Sequence, residues 1–223
     1  MNLPVDNTNR PTLMSIFKSN IKPWFRHMDK NDFLDLINFF SQINFDGDDE
    51  YKYRISILIF AVSHDLRPLV GFEVKLEDFC LTTQDCFNRL NQFFKNKNLN
   101  LAVTDVPIFS IYNIKYSIES LRQQSNEDEV QWLGRIFGYP ISLTEEEFSN
   151  YEVVRNTMNI YVNYNNTSNF LTTSDSLTPI NISTEYLQNI RRIFNIIGDV
   201  DLELNISTRQ PGFEDYQVST INF

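Results

Sequence analysis

Glycine is scarce in this sequence, 6 of 223 residues, and histidine and cysteine are scarcer, with 2 of each. With so little glycine there is small material for backbone loops that cradle phosphate, and no G-x-x-x-x-G-K-[ST], G-x-G-x-x-G or G-x-S-x-G string occurs. His27 and His64 are the only histidines and no H-E-x-x-H is present, so spacing offers no metal site, and neither a metal nor a cofactor is expected. Cys80 and Cys86 fit neither a CxxC redox pair nor a zinc knuckle and read as reduced core thiols. The longest apolar run, Ile55 to Val62, is interrupted by Ser56 and falls far short of the roughly 20 residues that span a bilayer, so no membrane partner is expected. Positive charge is also in deficit. With 19 Lys and Arg against 29 Asp and Glu the net charge is −10, which opposes binding to duplex nucleic acid, where affinity comes from cations displacing counterions. The first eleven residues, Met1 to Pro11, carry no apolar core of a targeting signal, and a cytoplasmic location is the expectation.

What is abundant is large apolar side chain: 42% hydrophobic residues, including 19 Phe and 10 Tyr, enough for a folded core. The chain divides into a polar arm over residues 1–12 and a single compact α+β domain over 13–223, with two lobes split near residue 125 as the alternative. The domain is expected to hold a mixed or antiparallel sheet flanked by helices.

Ile16, Phe17, Ile21 and Trp24 predict a short helix interrupted at Pro23, and Asp29 or Asn31 can cap a helix carrying Phe33, Leu36, Ile37 and Phe40. Tyr51, Tyr53, Ile55, Ile57 and Ile59 alternate with polar neighbours at first, which predicts a strand over 51–62 in a hairpin with a second over 69–76. Further strands are expected near 99–104, 157–163 and 200–206. Ile111, Ile114, Ile118 and Leu121 sit at helical steps, while the polar run Tyr164 to Ser176 reads as a loop. Thr82 with Asp85, Ser125 with Asp128, Thr144 with Glu147, and Ser183 are capping signals, and Gly138 and Gly198 are stops. Thr83 to Val103 and Ser183 to Leu204 both run cap, helix, turn, strand. That echo is either the ordinary likeness of helix-strand units or a duplicated half.

Few residues suggest chemistry. His64, Asp65 and Arg67 place a base, a carboxylate and a guanidinium in one turn, the candidate catalytic group. The acidic cluster Asp46, Asp48, Asp49 and Glu50 lacks calcium-loop spacing, and Glu127 to Glu129 and Glu145 to Glu147 follow capping hydroxyls, where they complement a helix dipole. Lys18, Lys22, Arg26 and Lys30 recur every four residues around Trp24, a spacing that suits a contact with an acidic partner or with the chain's own acidic surface. The reading drawn from these residues is a non-catalytic protein-interaction module, a regulator, inhibitor or assembly subunit whose partner is another protein. The alternative is a small hydrolase using His64 with a nearby carboxylate. Oligomeric state is not legible.

Overall fold

The computed structural model describes residues 25–42, 50–73, 83–95, 97–105, 108–117, 119–138, 144–150, 153–212 and 216–223. Among them the element order is α1 (Lys30–Ser41), α2 (Tyr51–Ser63), β1 (Leu69–Glu73), α3 (Thr83–Phe94), β2 (Leu99–Asp105), β3 (Ile108–Asn113), a 3-10 turn (Glu119–Leu121), α4 (Glu129–Phe137), α5 (Glu145–Ser149), β4 (Arg155–Tyr164), β5 (Thr167–Ser176), α6 (Thr184–Phe194), β6 (Val200–Arg209) and β7 (Tyr216–Asn222). The strands form two antiparallel sheets, ordered β1-β3-β2 and β5-β4-β6-β7, so the fold is α+β.

The segment 51–62 is a helix, not a strand, and no hairpin joins it to β1, which pairs with β3. α2 packs on α1, on β1 and β3 of one sheet, and on β5 of the other. Being enclosed from several sides, it has no polar stripe: Ile55, Ile57, Ile59, Phe60, Ala61 and Val62 are all buried. Burial of each large side chain contributes about 1.5–3 kcal/mol, whereas β-branching costs a helix only a few tenths per residue, so packing decides the conformation. Phe60 meets Phe33 of α1 at 5.7 Å and Phe194 of α6 at 5.8 Å, and Phe40 meets Phe72 of β1 at 5.5 Å. One buried cluster thus runs from α1 and α2 through β1 to β4 and β6, across residue 125.

Two further expectations are corrected. Residues 108–113 form β3 rather than the start of a helix, and Asn113 ends it by taking the Lys115 N–H on its side chain while donating to the Val62 carbonyl at 2.8 Å. Residues 167–176 are β5 rather than a loop. Asn165 and Asn166, at φ of 51° and 63°, form a two-residue turn that sets Tyr164 opposite Thr167. β5 pays for its polarity in hydrogen bonds: buried Asn169 donates to the carbonyls of Val162 and Thr167.

Most caps fall where the sequence places them, but Asp128 rather than Ser125 caps α4, and α6 ends at Phe194 with Asn195 as its C-cap, ahead of Gly198. Asp29 caps α1, Asp128 caps α4, Thr144 with Glu147 forms a capping box on α5, and Ser183 caps α6. Gly138 ends α4 at φ 71°, where a Cβ would lie 2.8 Å from that of Arg67. The two echoing helix-strand units differ in topology. β2, after α3, is an edge strand whose neighbour is β3, whereas β6, after α6, is an inner strand beside β4. Ile16 to Trp24, Cys80, Thr82 and Asp46 to Asp49 lie outside the described residues, as does the side chain of Cys86.

Candidate functional site

Residues 26–29 precede α1 and cross the C-terminal end of α2, with one isolated parallel bridge from Arg26 to Lys97. A segment without a ladder must find other partners for its backbone, and here α2 supplies them. The Met28 N–H donates to Ser63 Oγ at 2.8 Å, and His64 Nε2–H donates to the Met28 carbonyl at 2.8 Å. His27 Nδ1 lies 2.5 Å from the Ser63 carbonyl, a contact that only an N–H can make, which fixes the proton on that nitrogen. The Asn98 side-chain amide nitrogen lies 2.9 Å from the same ring nitrogen. On the other side the Asn98 N–H donates to the Arg26 carbonyl at 3.1 Å.

The two imidazoles stack at 4.9 Å with an interplanar angle of 16°, and Phe60 lies 4.4 Å below His64. Burial lowers the His64 pKa from its ordinary value; the Met28 carbonyl opposes this and charge on His27 reinforces it.

Beside the rings is an ion cluster. Arg26 makes a two-point contact with Asp32 at 2.5 and 3.0 Å and reaches Asp29 at 3.1 Å. Lys97 approaches Asp32 at 3.3 Å, donates to the Phe93 carbonyl at 2.6 Å and sits over the Phe93 ring. Asp32 also receives the Asp29 N–H, completing the α1 capping box. Burial alone would raise the Asp32 pKa, but the hydrogen bond from Arg26, the capping bond and Lys97 together hold it below the ordinary carboxylate range.

The fold therefore brings Arg26 and His64 to one corner, although sequence reasoning assigned them to separate sites. It sends the other members of the His64 turn elsewhere. Asp65, at φ 64°, pairs with Lys115 and lies 3.5 Å from the Tyr116 hydroxyl. Arg67 is buried, donates to the carbonyls of Leu69 and Leu171, and faces the Phe137 ring. Lys18, Lys22 and Trp24 lie outside the described residues.

Sequence reasoning missed His27, Asp32, Lys97 and Asn98 as members of this corner. The Asp29-x-x-Asp32 spacing was the available signal, since a carboxylate at the third helical position can complete a capping box. It also missed Arg135, which donates to the carbonyls of Ser120 and Arg122 and binds Glu127 at 2.6 Å, fastening the 119–127 segment to α4. That hydrogen bond, with one from the Gln124 backbone, lowers the Glu127 pKa to about 2. Another buried ion pair joins Arg155 to Asp175 at 2.8 Å, with the Thr157 hydroxyl donating to the same carboxylate. Among the described residues no group of three or more His, Cys, Asp or Glu side chains could hold a metal ion, and no helix is long and apolar enough to cross a membrane. No protein-family model matches the sequence, no curated protein matches it, and no solved structure matches the fold.

Proposed function

We propose that this chain acts as a non-catalytic protein-interaction module, a regulator, inhibitor or assembly subunit working in the cytoplasm on another protein. The observation that supports this reading is how the chain engages its own reactive groups. In a hydrolytic dyad or triad the histidine N–H is oriented by a carboxylate and the other nitrogen takes the nucleophile's proton. Here the N–H of His64 goes to the Met28 carbonyl, and the adjacent Asp65 goes to Lys115. Arg26 neutralises Asp32, and Arg67 is 3% exposed. These contacts position chain segments. A net charge of −10 would suit a partner that presents cations, and the basic set at Lys18 and Lys22 would suit one that presents carboxylates.

A hydrolase remains the second reading, favoured by one feature: in its neutral form His64 keeps Nδ1 as a basic lone pair. One experiment separates the two. Because Arg26 supports the corner, Lys18 and Lys22 are changed together to Ser while Arg26 is left in place, and melting and co-purifying native partners are compared with wild type. The expected result is unchanged melting with loss of a stoichiometric partner. An unchanged partner profile would remove the interaction from this segment, and ester hydrolysis by the wild type that His64→Gln abolishes would transfer the protein to the hydrolase reading.

A further inference from the structure

β7 forms one edge of the four-stranded sheet, and among the described residues no strand lies on its outer side. Which backbone groups face outward follows from one hydrogen bond. The Phe223 N–H donates to the Leu202 carbonyl at 3.1 Å, in the same register that sets Ile221 opposite Leu204 and Ser219 opposite Ile206. In an antiparallel ladder hydrogen-bonded pairs alternate with non-bonded ones. Gln217, Ser219 and Ile221 therefore turn their N–H and C=O toward β6, and Tyr216, Val218, Thr220 and Asn222 turn theirs outward.

The outward set is symmetric about Ser219. A two-fold axis through Ser219 would set Val218 opposite Thr220 and Tyr216 opposite Asn222 as hydrogen-bonded antiparallel pairs, so the edge is complementary to itself. Natural sheets protect such edges with Lys, Pro, bulges or inward-pointing charges. Gln217 to Asn222 contain no charged residue, no Pro and no Gly, in a chain whose net charge is −10. An uncharged strip is where two like-charged copies can approach with least repulsion. Val218 and Ile221, 60% and 49% exposed, are the most exposed large apolar side chains among the described residues.

We propose that β7 is a self-association edge, at which a second copy of this chain pairs antiparallel about Ser219 and joins the two four-stranded sheets into one. This does not rest on the interaction reading above, since a sheet-joined dimer would serve an enzyme equally well. A single strand from each copy is a small contact, expected to fall below the roughly 1,200 Å² at the low end of stable interfaces, so the dimer should be weak and reversible.

The test is sedimentation equilibrium of the full chain from about 1 to 100 μM, a span that brackets micromolar dissociation constants. Val218→Pro removes an outward N–H and leaves the β6 ladder intact, because the Val218 N–H does not face β6. Val218→Lys sets like charges across the axis. The expected result is a monomer-dimer equilibrium in the wild type and monomers for both variants, with urea midpoints close to wild type. A wild type that is monomeric throughout would overturn the proposal. So would a dimer that survives both substitutions, which would use another surface. If Val218→Pro is destabilised, Val218→Lys decides: dimerisation at wild-type strength would overturn the proposal, and at least a tenfold weakening would support it.

Discussion

At the crossing of residues 26–29 with the end of α2, and along the outer side of β7, backbone lies outside any complete ladder, and the two places treat it in opposite ways. At the crossing, Ser63, His64, His27 and Asn98 take up the neighbouring backbone groups, and Asp32 collects Arg26, Lys97 and the Asp29 N–H. Along β7 the outward groups of Val218 and Thr220 meet no strand among the described residues. The difference indicates where each region acts. Polar groups satisfied internally hold a fold together, while polar groups left open in a defined geometry are available to a second chain.

The largest effect should come from breaking the corner. Asp32→Ala leaves the Lys97 ammonium, 11% exposed, without its carboxylate and removes the acceptor of the Asp29 N–H in the α1 capping box. Loss of one partner of a buried pair costs about 3–5 kcal/mol, and because Arg26 is half exposed about 3 kcal/mol is expected. The comparable change at the edge, Val218→Thr, should stay within about 0.5 kcal/mol. Urea denaturation of both variants reads the contrast directly.

Acid should separate the two regions next. The folded-state pKa of His64 is depressed, so below the ordinary value of 6.5 the unfolded chain binds the proton first. Stability at the corner therefore begins to fall as pH drops through 6.5, and the loss levels off once pH passes below the folded-state value. Asp32, also depressed, contributes fully above its ordinary value of 3.8, and that contribution is lost as pH falls through its lower folded-state value. Melting followed from pH 8 to 5 should decline in the wild type and flatten in His64→Gln. Gln217 to Asn222 carry no group that titrates in this window, so self-association through that edge should not follow the same curve.

Much of the architecture was legible in the sequence because local chemistry and tertiary packing agreed there. Asp29, Thr144 and Ser183 cap helices, Gly138 ends one, β2 and β6 lie where strands are expected, and β4 alternates as a half-buried strand should. The failures came where burial was uniform or polar. α2 is enclosed from several sides, so its apolar residues carry no 3.6-residue signal, and the alternation from Tyr51 to Ile59 imitates a strand. Its length, 13 residues, was the better guide, since strands of that length are uncommon. β5 was hidden by its Thr, Ser and Asn content, and the signal for it lay in the Asn165-Asn166 turn. The corner could not be read because it joins residues near 26, 64 and 97, and no local pattern carries that information.

The most direct test is residue-resolved amide hydrogen exchange on dilute protein, repeated at high concentration. The account predicts slow exchange at Met28 and Asn98 under both conditions. In β7 it predicts an alternation: Ser219 and Ile221 slow throughout, Val218 and Thr220 fast when dilute and slowed as concentration rises. Fast exchange at Met28 and Asn98, or Val218 and Thr220 exchanging at the same rate as Ser219 and Ile221 at every concentration, would contradict it.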